Sequence, residues 1–116
     1  MDGYMLLLHD STTAMGDVSP DEIQAIIAEY VAWRDSIAGQ GRLIGGEKLT
    51  DEPGRNLTAN NGEIRVTDGP YAEAKEMLGG YFAIKAENYD DAVEISRSCP
   101  HLKYGGRIEV RKIDTH

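Results

Sequence analysis

The chain is poor in cysteine, phenylalanine and basic charge, and each shortage excludes something. Cys99 is its only cysteine, so no intrachain disulfide forms and no cysteine-based zinc cluster can be built. Lys and Arg number 12 against 20 Asp and Glu, a net charge of −8. A field of that sign repels phosphates, which makes nucleic acid and anionic membrane poor partners. No run approaches the ~18 apolar residues of a membrane-spanning helix. The opening MDGYMLLLHD has no basic region, and its apolar run is too short for a signal peptide. A cytoplasmic protein is therefore expected. No phosphate-binding glycine loop and no GxSxG elbow occurs, and no histidine pair has metal-ligand spacing. Neither a cofactor nor a metal is expected.

What is present suits one domain over residues 1–116, long enough for one core. Tyr4 to Leu8 is a dense apolar run and reads as a buried strand, reaching toward His9. Ser19-Pro20-Asp21-Glu22 is a helix start: Ser19 caps, Pro20 suits the first turn, and Glu22 completes a capping box. Ile23, Ile26, Ile27, Tyr30, Val31 and Ile37 follow at helical spacing, and Gly39 or Gly41 ends the run. RLIGGEKL (42–49) reads as a strand with a bulge at Gly45-Gly46. Asn60-Asn61-Gly62 joins strands around 55–60 and 63–67 into a hairpin. A short helix over 70–78 follows, then a strand from Tyr81 to Glu87. Asn88 caps a second helix whose first turn carries Asp90 and Asp91, and Pro100 stops it. HLKYGG reads as a loop, and Arg107 to Ile113 as the last strand.

This β-α-β-(hairpin)-β-α-β order predicts an α+β fold, a ferredoxin-like sandwich with an antiparallel sheet. Two long helices cover only one sheet face. The central strands put apolar groups on both, because side chains alternate. A second sheet is the expected cover, which predicts a homodimer.

These stretches resemble the YCII-related family, and within it the DGPF subgroup. The matching segments are GYMLLLHD, SPDEIQAIIAEY, GRLIGGEKL, VTDGPYAEAKEMLGGYFAIKAENYDDAVEISRSCP and YGGRIEVRKI. The turn at 68–71 with its following Glu, Lys and Gly-Gly is the most specific part, with Tyr71 where the subgroup has phenylalanine. The resemblance implies a dimeric α/β barrel, the architecture of muconolactone isomerases. Some members carry a His/Asp pair associated with acid–base chemistry, and some lie beside or fused to extracytoplasmic-function sigma factors. The first-helix position that is His in those members falls at Tyr30 here. A phenol of ordinary pKa near ~10 is not a neutral-pH base.

Three residues are candidates for catalysis: Asp68, His9 and Tyr30. Asp68 ends a strand and is held by Gly69-Pro70, where it either serves a cleft or caps its own turn. His9 ends the first strand as a neutral-pH base or a half-exposed, inert ring. Tyr71, Lys75, His101 and Tyr104 are candidates for ligand binding. The competing readings are packing for the tyrosines, a solvated charge for Lys75 and a helix cap for His101. Cys99 reads as a small core residue. The expected function is acid–base chemistry on a small organic molecule, in a cleft between the sheet and the first helix. The alternative is a non-catalytic metabolite-binding or regulatory module, linked to sigma-factor systems by the resemblance.

Overall fold

The structure is a computed structural model and describes residues 1–11, 18–69 and 76–115. Its elements run β1 (Asp2–Ser11), α1 (Pro20–Gly39), β2 (Leu43–Lys48), β3 (Arg55–Asn60), β4 (Glu63–Asp68), β5 (Glu76–Ala86), α2 (Tyr89–Ser96), α3 (Pro100–Lys103) and β6 (Arg107–Lys112).

Four strands form one sheet in the order β2-β5-β1-β6, with every neighbouring pair antiparallel. With the hairpin set aside, this is the strand order of a ferredoxin-like α+β sandwich, as the element order predicts. β3 and β4 form a separate two-stranded ribbon inserted between β2 and β5. Its turn uses Asn61 and Gly62, both at positive φ (52° and 84°), the conformation a two-residue hairpin loop demands. The four-stranded sheet is open, with β2 and β6 at its edges. No closed barrel exists among the described residues.

The helices start where the capping residues place them. Ser19 Oγ accepts the Glu22 backbone N–H at 3.2 Å, and Asn88 Oδ1 accepts that of Asp91 at 2.8 Å. Each such cap contributes about 1 kcal/mol. α1 ends in a Schellman closure, with Arg42 N–H on Ile37 O and Gly41 N–H on Ala38 O.

The core lies between the sheet and the helices. Tyr4, Leu6 and Leu8 of β1 are buried, as are Phe82, Ile84 and Ala86 of β5. Trp33 stacks edge-on to Phe82 at 5.0 Å, and its indole N–H reaches Ser98 Oγ at 2.9 Å. Met5, Leu7 and His9 alternate to the opposite face and are half-buried.

Several expectations need correction. β5 begins at Glu76 rather than Tyr81, so 76–78 is strand, not helix; residues 70–75 lie outside the described residues. The added length pairs Met77 and Leu78 with Asp10 and His9, across a bulge that accommodates Gly79. α2 stops at Ser96, and α3 occupies part of the expected loop. In α1, Ile26, Tyr30, Trp33 and Ile37 turn inward, while Ile23, Ile27 and Val31 stay exposed. The two sets lie on adjacent stripes of the helix, and one stripe suffices to cover the sheet.

Candidate functional site

β1 contributes to two polar side-chain clusters, one on each sheet face, because consecutive residues point opposite ways. His9 points away from the helices, and its Nε2 lies 3.1 Å from Glu109 Oε1. That contact and the one to Arg111 hold the Glu109 carboxyl below its ordinary pKa, against a smaller opposing effect of burial. Asp10, the next residue, turns toward the helix side. Its Oδ1 lies 3.8 Å from Nε2 of His101.

His101 is the centre of that second system. It sits in α3, is 5% exposed, and has both ring nitrogens engaged. Nε2 lies 2.9 Å from the backbone carbonyl of His9, and Nδ1 lies 2.9 Å from the Tyr30 hydroxyl. A carbonyl only accepts, so Nε2 carries the proton. In the neutral ring Nδ1 is then the acceptor, and Tyr30 donates to it. The ring has space only because residue 106 is glycine: a Cβ there would lie 2.2 Å from His101 Nε2. Gly79 likewise leaves room for the Asp10 carboxylate, which lies 2.0 Å from where its Cβ would be.

Tyr30 is half-buried, and burial pushes its phenol well above the ordinary value, with Cys99, Asp10, Tyr104 and Glu29 adding to the rise. Cys99, just before α3, is buried, and burial raises its thiol. At the rim, Lys103 Nζ donates to Glu29 Oε1 at 2.9 Å and lies 5.3 Å from the Tyr104 ring centroid. Hydrogen bonds from Lys103 and Tyr104 lower the Glu29 carboxyl. Burial first, then the bond to Glu29, raises the Tyr104 phenol.

The structure thus brings Tyr30, His101 and Tyr104 into one neighbourhood, and gathers Asp10, Glu29 and Lys103 around them. It places Asp68 and the His9 ring elsewhere. Asp68 ends β4 on the ribbon, where its Oδ1 pairs with Arg55 Nε at 3.0 Å and its side chain is 83% exposed. The turn beside it is fixed by Gly69 N–H on Gly54 O at 3.0 Å and by Asn56 donating to Gly69 O. Its carboxylate is accessible, and the partner it has there is Arg55. Tyr71 and Lys75 fall outside the described residues. His101 does not cap the preceding helix, because α2 has already ended and the ring turns into the core. Asp10 was not singled out from the sequence. The available signal was its place at the end of an apolar strand, two residues past buried Leu8 on the same alternation.

The chain is an α+β protein with an open antiparallel sheet and a tyrosine–histidine pair under its first helix. The chain belongs to the YCII-related domain family, whose model matches residues 3–115. It is also similar to an uncharacterized protein of Rhizobium meliloti (strain 1021), 26% identical over 112 residues, covering 95% of this chain and 90% of that protein. No helix among the described residues is long and apolar enough to cross a membrane.

Proposed function

We propose that the chain is a proton-transfer enzyme acting on a small organic molecule through Tyr30, with His101 behind it as the proton store. The observation that carries this reading is the 2.9 Å contact between the Tyr30 hydroxyl and His101 Nδ1. A phenol whose pKa is raised is a poor base alone. Backed by an imidazole, it can pass a proton on: a substrate proton moves to the Tyr30 oxygen while the Tyr30 proton moves to Nδ1. The resulting imidazolium lies 3.8 Å from the Asp10 carboxylate and 2.9 Å from the His9 carbonyl. The reverse sequence returns the proton at a new position, which is the chemistry of an isomerase. The helix tyrosine that departs from the family's histidine thereby regains an imidazole, supplied from α3.

The test is deuterium exchange. Carbon acids (a β-keto ester, a 1,3-diketone and a butenolide) are incubated with the protein in D2O and followed by NMR. Exchange above buffer that is lost in Tyr30→Phe and in His101→Asn supports the reading. Exchange that survives both variants rejects it.

The second reading is a metabolite-binding or regulatory module. It is favoured by the engagement of both His101 nitrogens with protein groups, which leaves the ring no free base of its own. Saturable binding without exchange would select it. We propose that the chain falls in the DGPF subgroup on its 66–80 sequence stretch, and that a homodimer closes an α/β barrel through the half-buried face of Met5, Leu7 and Tyr81. Light scattering that finds a monomer at low micromolar concentration would overturn that assembly.

A further inference from the structure

We infer that the Tyr30 site takes a ligand that brings hydrogen-bond donors and positive charge, an amine, and turns carboxylates away. The inference rests on the reading of Tyr30 as the group that touches the ligand, and it comes from following each proton.

Tyr30 spends its only O–H on His101 Nδ1, because Nε2 must keep its proton to meet the His9 carbonyl. What remains for a ligand is the lone-pair side of the Tyr30 oxygen. Lys103 is the cation at this rim, and it donates to Glu29 at 2.9 Å. Asp10 completes the set. Its side chain is 55% exposed, and among the described residues the cationic partner the structure gives it is His101, uncharged in the neutral ring. Beyond the Lys103–Glu29 pair, the side chains gathered around Tyr30 therefore present acceptors: its own phenol oxygen and the Asp10 carboxylate. A ligand carboxylate brings more acceptors and a like charge. An ammonium brings donors on one atom and a charge that Asp10 can answer.

This distribution also fits the direction of proton flow. The resting pair is set to receive a proton from the ligand, and a cation that loses a proton becomes a neutral intermediate until the proton is returned. The imidazolium formed behind Tyr30 then takes over as the partner of Asp10.

The test uses three probes on one skeleton: benzylammonium chloride, benzyl alcohol and sodium benzoate. Each is titrated at fixed ionic strength into the full chain labelled with 15N. The ring nitrogens of His101 and the backbone amides of Asp10 and Tyr30 are followed by NMR. Benzylammonium should shift these signals and bind at least about tenfold tighter than benzoate, the ratio expected of one charge contact in a partly solvated site. Asp10→Asn should remove most of the preference for benzylammonium over benzyl alcohol, and Glu29→Gln should remove a smaller part. Benzoate binding at His101 as tight as benzylammonium, or a Tyr30–His101 pair unmoved by benzylammonium, overturns the inference. The proton-relay reading fails separately: it is read from the His101 tautomer in the free protein and from exchange in Tyr30→Phe, with no amine present.

Discussion

Tyr30 and His101 are 71 residues apart in the chain and 2.9 Å apart in space. One comes from the inner stripe of α1 and the other from a four-residue helix, and the contact joins the two elements. Each group satisfies the other in a region with little water. Among the described residues, no buried side-chain nitrogen or oxygen lacks a partner.

Breaking this contact should therefore register in stability before function. His101→Ala removes a buried ring and strands the His9 carbonyl and the Tyr30 hydroxyl. A loss of about 2–4 kcal/mol is expected in urea unfolding. Tyr30→Phe removes a hydroxyl alone and should cost about 1 kcal/mol. A smaller loss for His101→Ala than for Tyr30→Phe would contradict this geometry.

Gly106→Ala should destabilise by about 1–3 kcal/mol, because the added methyl meets the imidazole. The cost should nearly vanish in a His101→Ala background, where the ring is gone. A double-mutant cycle in chemical denaturation measures the coupling, and additive costs would show that the ring does not fill that space.

Alkaline pH should expose the Tyr30 environment. Its pKa is raised in the fold, so the unfolded chain ionises first and folding loses ground as pH rises above about 10. The stabilising effect is complete below the unfolded value and disappears as pH climbs through the folded one. Tyr30→Phe should flatten part of this alkaline decline. Spectrophotometric titration should show the Tyr30 phenol ionising above the ordinary tyrosine range, with Tyr104 raised as well.

Acid pH should act through Asp91. The Glu87 N–H and then Arg42 depress its pKa, with Arg42 Nη1 at 2.8 Å from the carboxylate. The unfolded chain then binds the proton more readily. The associated stability is present above about pH 4 and is lost as pH falls through the folded value. Asp91→Asn should lower stability at neutral pH and reduce the slope of the acid limb in thermal melts from pH 5 to pH 2.

Asp68→Asn should be nearly silent in stability, within about 1 kcal/mol, because an ion pair this exposed is solvated on both sides. It should also leave carbon-acid exchange and benzylammonium binding unchanged. A loss of either would return the site to the ribbon.

The frame of the fold was legible because its signals are local. Ser19-Pro20, Asn88 and Asn61-Gly62 each act within a few residues, and the helix starts and the hairpin fall where they point, while the β2 bulge falls at Ile44, just before the expected Gly45-Gly46. The site was legible only in part. Tyr30, His101 and Tyr104 stood out by side-chain chemistry, but their grouping depends on contacts across 71 and 92 residues that no spacing encodes. Asp10 looked like the start of a polar loop. Trp33 escaped the helical pattern because only packing decides which of two neighbouring apolar stripes turns inward.

The strand alternation at His9 and Asp10 has a mechanical consequence. One peptide unit is the common wall between two side-chain clusters, with an imidazole–carboxylate pair on one side and the Tyr30 system on the other. Its carbonyl belongs to His9 by sequence and holds the His101 ring by geometry. A twist of β1 at this point, imposed from the open face of the sheet, would tilt that carbonyl and carry the ring with it. Whatever comes to lie against His9 and Glu109 thus presses on the far side of the wall that aligns Tyr30.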